Sequence, residues 1–182
     1  MARWTKPVVV IIDLEATCWE GNPPLGQMNE IIEIGVCQFH FISGEITDKQ
    51  SLLVKPVDST VSEYCTHLTT ITTELLLTEG KSFSEQLIAL NEQYRPQQKI
   101  FASYGDYDKN MLIRQCTRLR LDNPMAHSIH LNVKTLFAIK HKLQKEVGLD
   151  KALNIAGITL EGTHHRGHDD AYNIAKLLKS IM

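Results

Sequence analysis

VVVIIDLE, residues Val8 to Glu15, runs from five consecutive apolar side chains into a pair of carboxylates. An unbroken apolar run of this length is the pattern of a central strand covered on both faces. Asp13 and Glu15 stand two positions apart at its C-terminal end, so both point to the same side of the sheet. Their β-carbons would sit roughly 6 to 7 Å apart, a spacing that suits two side chains gripping one divalent cation, or a pair about 4 Å apart. A solvated strand end is the other reading of Asp-x-Glu, and the remaining sequence has to decide between them.

Working outward from this strand, Ala16 to Asn29 reads as a loop beside the carboxylates, with Gly21, Pro23, Pro24 and Gly26. Ile31 to Ile42 is expected to be a long second strand, turning at Ser43-Gly44 into a third over about Glu45 to Val54. Short turns favour antiparallel pairing, so these three form a meander. Ser62 to Gly80 carries a short helical pattern. Ser82-Phe83-Ser84-Glu85 has capping-box spacing, and Phe83, Leu87, Leu90 and Tyr94 continue at helical periodicity up to Pro96. A fourth strand is predicted at Lys99 to Tyr104, a helix from Gly105 to about Arg120, and a fifth strand at Ser128 to Val133. Helices follow at about Lys134 to Val147, Asp150 to Ala156 and Asp169 to Ile181. The expected fold is α/β, with a mixed five-stranded sheet, an antiparallel meander plus βα units, flanked by helices. Ligands of such sheets gather outside the C-terminal ends of the strands, which is where Asp13 and Glu15 stand.

The 182 residues fit a single domain, 1–182, with 43% apolar and 22% charged residues, as in globular proteins that need no covalent staples. No apolar run approaches a membrane span, and the opening MARWTKP has no secretory pattern, so no membrane partner is expected and the cytosol is the expected compartment. Cys18, Cys37, Cys65 and Cys116 form no C-x-x-C pair, which argues against a zinc knuckle or a disulfide framework. A formal charge of −2 argues against a protein that coats long nucleic acid electrostatically. It is compatible with an enzyme that grips a few nucleotides, because metal ions in a carboxylate cluster restore positive charge where a phosphate would sit.

Helical phase selects which further acids reach the pair. Asp108 shares a face with Met111, Leu112, Gln115, Cys116 and Leu119, a mostly apolar stripe that must face the sheet. Asp106 falls with Lys109 and Asn110 and is placed to act as an N-cap. In His164-His165-Arg166-Gly167-His168-Asp169-Asp170, Asp170 continues through Ile174, Leu177 and Leu178 toward the core, whereas Asp169 falls with Tyr172, Asn173 and Lys176 toward solvent. His165 lies on the loop five residues before Asp170. His164, His165 and His168 also admit a zinc reading, although carboxylate-rich sites more often hold Mg²⁺ or Mn²⁺.

In this order, Asp13-x-Glu15, Asp108 and His165-x4-Asp170 resemble the DEDD superfamily of 3′-to-5′ exonucleases, in the branch whose last motif is His-x4-Asp. DLEATCWEGNPP, NEIIEIG from Asn29 to Gly35, CTHLTTIT from Cys65 to Thr72 and HDDAYNIAKLL are similar to its enhanced-RNAi and histone-mRNA type exoribonucleases. Tyr107 stands where relatives often have tryptophan. The chain as given lacks the N-terminal nucleic-acid-binding extension of longer members, so their extended recognition is not carried over.

The resemblance implies a ribonuclease H-like fold and a metal-dependent 3′-5′ exoribonuclease that acts on single-stranded RNA 3′ ends and releases nucleoside 5′-monophosphates. Asp13, Glu15, Asp108 and Asp170 would hold two Mg²⁺ or Mn²⁺ ions, with His165 as the candidate general base; a packed loop histidine is its alternative reading, and Arg166 or His168 could take part of the role. The backbone near Glu15 and Ala16 would bind the terminal sugar, and Leu68 and Ile71 would wedge the terminal base, ordinary core being their alternative reading. Lys109, Arg114, Arg118 and Arg120 would track phosphates or form a solvated helix face. The competing functions are a DNA-directed 3′-5′ exonuclease, for proofreading or trimming of single-stranded DNA, and a silent nucleic-acid-binding domain.

Overall fold

The computed structural model describes Val8 to Met182; the opening MARWTKP lies outside the described residues. Val8–Ala16 forms β1, Ile31–His40 β2 and Ile46–Leu53 β3. A crossover then carries α1 (Glu63–Thr69), α2 (Thr73–Glu79) and α3 (Phe83–Tyr94) before β4 (Ile100–Ser103). The chain continues through α4 (Tyr107–Leu119), β5 (His130–Asn132), α5 (Val133–Lys140), α6 (Leu149–Ala156) and α7 (Gly167–Ile181). The sheet order is β3-β2-β1-β4-β5, with antiparallel pairing in the meander and parallel pairing of β1 with β4 and of β4 with β5. No helix among the described residues is long and apolar enough to cross a membrane.

β1 lies in the middle of this sheet, and its alternation assigns the two layers. Val10, Ile12, Leu14 and Ala16 pack with α3 and α4, whereas Val9 and Ile11 pack with α5, α6 and α7. Val9, Val10, Ile11 and Ile12 have no exposed surface. At about 1.5 to 3 kcal/mol for each buried aliphatic side chain, this run outweighs a repulsion of a few kcal/mol among acids gathered at its end. Asp13 and Glu15 are odd-numbered, so they share the α7 face.

Several boundaries differ from expectation. β1 extends to Ala16 because β2 pairs with it throughout, although the register shifts between Glu15 and Ala16. There Ile32 has no partner in the pairing and packs instead with Leu53, Cys65, Ile71 and Leu76. Bulges of this kind re-aim side chains beside functional sites. The fifth strand is shorter than Ser128 to Val133, with Ser128 turned aside to bond Pro96 O at 2.7 Å. α5 ends at Lys140 rather than near Val147, because Lys142 adopts φ +52° and the Leu143 amide bonds Ala138 O at 2.9 Å. That closure does the work of a C-terminal glycine without one in the sequence. The predicted capping box is present, with Glu85 N donating to Ser82 Oγ at 3.3 Å and Ser82 N donating to Glu85 at 2.9 Å.

Candidate active site

Three elements bring the four predicted carboxylates to the C-terminal end of β1. Asp13 and Glu15 come from the strand, Asp108 from the first turn of α4 and Asp170 from the first turn of α7. One oxygen each from Asp13, Glu15 and Asp170 lies within 4.8 Å of the other two. Asp108 accepts the Leu14 amide at 3.1 Å, which ties the start of α4 to β1 midway between Asp13 and Glu15. Its stripe is the expected one, since Asp108, Met111, Leu112, Gln115 and Cys116 are all buried. All four acids, with Tyr104, Tyr107, Leu149, His164 and His165, line a cavity of about 260 Å³.

Burial makes this cluster electrostatically costly. It pushes the Asp13 carboxyl well above the usual carboxylate range, with repulsion from Asp108, Glu15 and Asp170 adding to it. Burial and then repulsion from Asp170 and Glu33 push Glu15 up to about 9. Asp108 rises to about 7, burial outweighing the backbone amides that favour its charge. Arg166 is the cation that offsets Glu15, and it is already bonded to Glu33. Four hard oxygen donors short of positive charge fit divalent cations, whose binding would displace the protons these acids hold.

The loop before α7 brings two histidines to Asp170. The His165 amide donates to Asp170 Oδ2 at 2.9 Å, and His164 Nδ1 lies 3.0 Å from the same oxygen. The two rings stack with centroids 4.0 Å apart. Among the described residues, no hydrogen bond involves the His165 ring, whose pKa is lowered by burial and then by His164. A neutral imidazole with free nitrogens can accept a proton. His168 does not join a three-histidine site; its Nδ1 lies 2.8 Å from Glu33.

Other expectations need correction. Asp169 is not turned to solvent: it is 7% exposed, pairs with Lys49 and accepts the Thr163 amide at 2.8 Å. β3 supplies that lysine, a partner which helical phase alone does not show. Asp106 stands at the N-cap of α4 but makes no side-chain cap; its carboxylate is 3.3 Å from Asn132 Nδ2 and 3.4 Å from His130 Nδ1. Ile71 has no exposed surface and belongs to the cluster of Ile32, Cys65 and Leu76, so it is core rather than wedge; Leu68 is half-buried. Ala16 is buried, with its carbonyl 3.6 Å from the Cys65 thiol. Arg118 bonds Glu30 and Asp58, each at 2.6 Å, and is thereby taken out of the phosphate-tracking group, whereas Arg114 and Arg120 are exposed.

Glu33, absent from the sequence-derived site, is fully buried beside it. Burial alone would raise its pKa, but hydrogen bonds from His168, then Ser51 and Arg166, hold it down at about 2. The signal was a lone carboxylate between Ile32 and Ile34, since a buried charge requires partners. His164 was visible as part of a histidine run, but not its contact with Asp170.

Known proteins resemble this chain in sequence and in fold. The exonuclease family model (RNase_T) matches residues 10–178. The chain is 26% identical over 191 residues to the 3′-5′ exonuclease Snipper of Drosophila melanogaster, covering 93% of this chain and 67% of that protein. It is 31% identical over 179 residues to 3′-5′ exoribonuclease 1 of Rattus norvegicus, covering 93% of this chain but only 51% of that relative. The crystallographic nuclease domain of 3′hExo, a DEDDh family member bound to rAMP, superposes with a TM-score of 0.81 at 28% identity. It covers 98% of this chain and 92% of that domain. The ribonuclease H-like sheet, the family match over nearly the full chain and the carboxylates gathered at the end of β1 agree: this chain belongs to the exonuclease (RNase_T) family.

Proposed function

We propose that this chain is a divalent-metal-dependent 3′-5′ exoribonuclease that removes nucleoside 5′-monophosphates from single-stranded 3′ ends. The observation that carries the reading is the convergence of Asp13, Glu15, Asp108 and Asp170 around one cavity, with the His165 ring free at its edge. The carboxylates would hold Mg²⁺ or Mn²⁺. The chemistry such ions would supply there is polarisation of the scissile phosphate, acidification of the attacking water and stabilisation of the leaving 3′ oxygen.

The chain's own residues do the rest. His165 takes the proton of the attacking water, and the nearby Asp170 charge favours the imidazolium that results. The backbone at Glu15 and Ala16 holds the terminal sugar, and Leu68 presents an apolar edge to the terminal base. A cavity of about 260 Å³ is near the lower end of small-ligand sites, roughly 300 Å³, which suits one terminal nucleotide better than a duplex. An RNA substrate is favoured by the rat relative's name and by the ribonucleotide in the 3′hExo domain; the fly relative is named an exonuclease without that restriction.

Matched RNA and DNA oligonucleotides labelled at the 3′ end, digested with Mg²⁺, with Mn²⁺ and with a chelator, test the proposal. Release of 5′-mononucleotides from RNA, lost on chelation, is expected. Faster digestion of DNA would overturn the RNA preference and support the trimming alternative. No release with either metal would leave a silent binding domain.

A further inference from the structure

A buried acid that the chemistry above does not use sits one strand away from it. Glu33 on β2 is directly opposite Glu15 on β1, so the two side chains share the face on which α7 lies. Its carboxylate takes donors from three consecutive residues, besides the Ser51 hydroxyl on β3. Oε2 accepts the Gly167 amide at 2.9 Å and Arg166 Nε at 3.2 Å; Oε1 meets His168 Nδ1 at 2.8 Å and Arg166 Nη2 at 3.4 Å. A carboxylate offers about four acceptor sites, so no capacity is left for a metal ion or a phosphate.

The held residues lie between His165 and Asp170 in the chain. His165 itself stands at φ +64°, a left-handed conformation that a residue with a side chain keeps only when its surroundings enforce it. The next residue inward on this face of β2, Gly35, completes the seat. A Cβ there would come within 1.8 Å of Gly167 C and 2.2 Å of His168 N, so the start of α7 rests directly on the strand backbone. Gly35 allows the approach, and Glu33 fixes it. Apolar residues often replace a whole buried ion pair without loss, so retention of this one points to a role besides the stability it adds.

We propose that Glu33 is a positioning residue for proton transfer: by gathering Arg166, Gly167 and His168 it locks the turn that presents His165 and Asp170 to the carboxylate cluster. The proposal rests on His165 acting as the general base.

Two measurements on Glu33→Gln and Glu33→Ala test it. In steady-state digestion at saturating Mg²⁺, kcat is expected to fall about 10- to 100-fold in the alanine variant and less in the glutamine variant, with KM moving less than about threefold. In the metal-free proteins, amide hydrogen exchange should quicken at residues 164–168 while α7 beyond Ala171 keeps its protection. The glutamine variant preserves volume and one acceptor, so it carries the test if the alanine variant does not fold. A kcat within about twofold of wild type in both variants overturns the proposal, as does a rise in KM alone. Exchange that quickens evenly along α7 overturns it too, by marking Glu33 as a general stabiliser. If the wild-type protein releases no nucleotide, the functional reading fails, and the exchange data still report whether Glu33 holds the turn.

Discussion

Replacing Asp108 by asparagine should make the metal-free protein more stable while it abolishes turnover. The side chain keeps its shape, and the amide oxygen can still accept the Leu14 amide that Asp108 now holds at 3.1 Å. What disappears is a buried carboxyl whose charge is disfavoured first by burial and then by Asp170. Burial raises the Asp108 carboxyl from an ordinary 3.8 to about 7, about three pKa units, each worth roughly 1.4 kcal/mol. The ceiling is therefore about 4 kcal/mol. Removing one charge lets its neighbours ionise more fully, so a net gain of about 2 kcal/mol is the working expectation. For a chain of this length that is a rise in Tm of roughly 4 to 8 °C.

The pH dependence has a definite sign. Below about pH 4 the carboxyl is protonated in the folded and the unfolded chain, and the variant gains nothing. From there to about pH 7 the folded protein holds a proton that the unfolded chain has released, so wild-type stability falls as pH rises, and above this window the full cost is present. Thermal melts of chelator-treated wild-type and Asp108→Asn protein at pH 5 and pH 8 are the assay. Added Mg²⁺ should stabilise the wild type by about 2 to 3 kcal/mol at a hundredfold excess over Kd, and the variant by much less. A variant less stable than wild type at pH 8 without metal, or one stabilised equally by Mg²⁺, would show that Asp108 is neither a costly buried charge nor a metal ligand.

His165→Ala should lower kcat by about 10² to 10⁴ with metal binding unchanged, whereas His164→Ala, which removes only a partner of Asp170, should cost about tenfold; single-turnover digestion and Mn²⁺ titration separate the two. Gly35→Ala forces a Cβ against the backbone of Gly167 and should destabilise by about 3 kcal/mol or more, read from urea unfolding. Asp169→Ala should cost about 2 to 4 kcal/mol, against less than about 0.5 for a solvent-facing acid, because it leaves Lys49 and the Thr163 amide without their partner. Glu33 and Asp169, both held below the usual range, add stability that is present above the ordinary carboxylate pKa. For Glu33 that stability should be lost as pH falls from about 4.5 toward 2, with Asp169 acting in the same direction, which acid titration followed by circular dichroism would show.

The sheet and the four carboxylates were legible because each depends on local periodicity. Val8 to Ile12 is apolar without alternation, and a period of two puts Asp13 and Glu15 on one side. A period of 3.6 puts Asp108 with Met111 and Asp170 with Ile174. Where the outcome depends on a partner distant in sequence, the periodicity says nothing. Asp169 was assigned to solvent because its own helix gives it a polar face, but Lys49, 120 residues earlier, buries it. Arg118 looked like part of a basic stripe until Glu30 and Asp58 engaged it. Ile71 and Leu68 are three residues apart on a short segment, and only the bulge that sends Ile32 toward α1 makes one of them core. Glu33 is the reverse case. Its burial was readable from Ile32 and Ile34, yet its partners at the start of α7 lie 133 to 135 residues away.

Anomalous diffraction from crystals soaked in Mn²⁺ reads metal position without reference to activity. The account predicts manganese peaks among the carboxylates of Asp13, Glu15, Asp108 and Asp170, lost in Asp108→Asn crystals. An empty cluster, or a peak held by His164, His165 and His168, would contradict it.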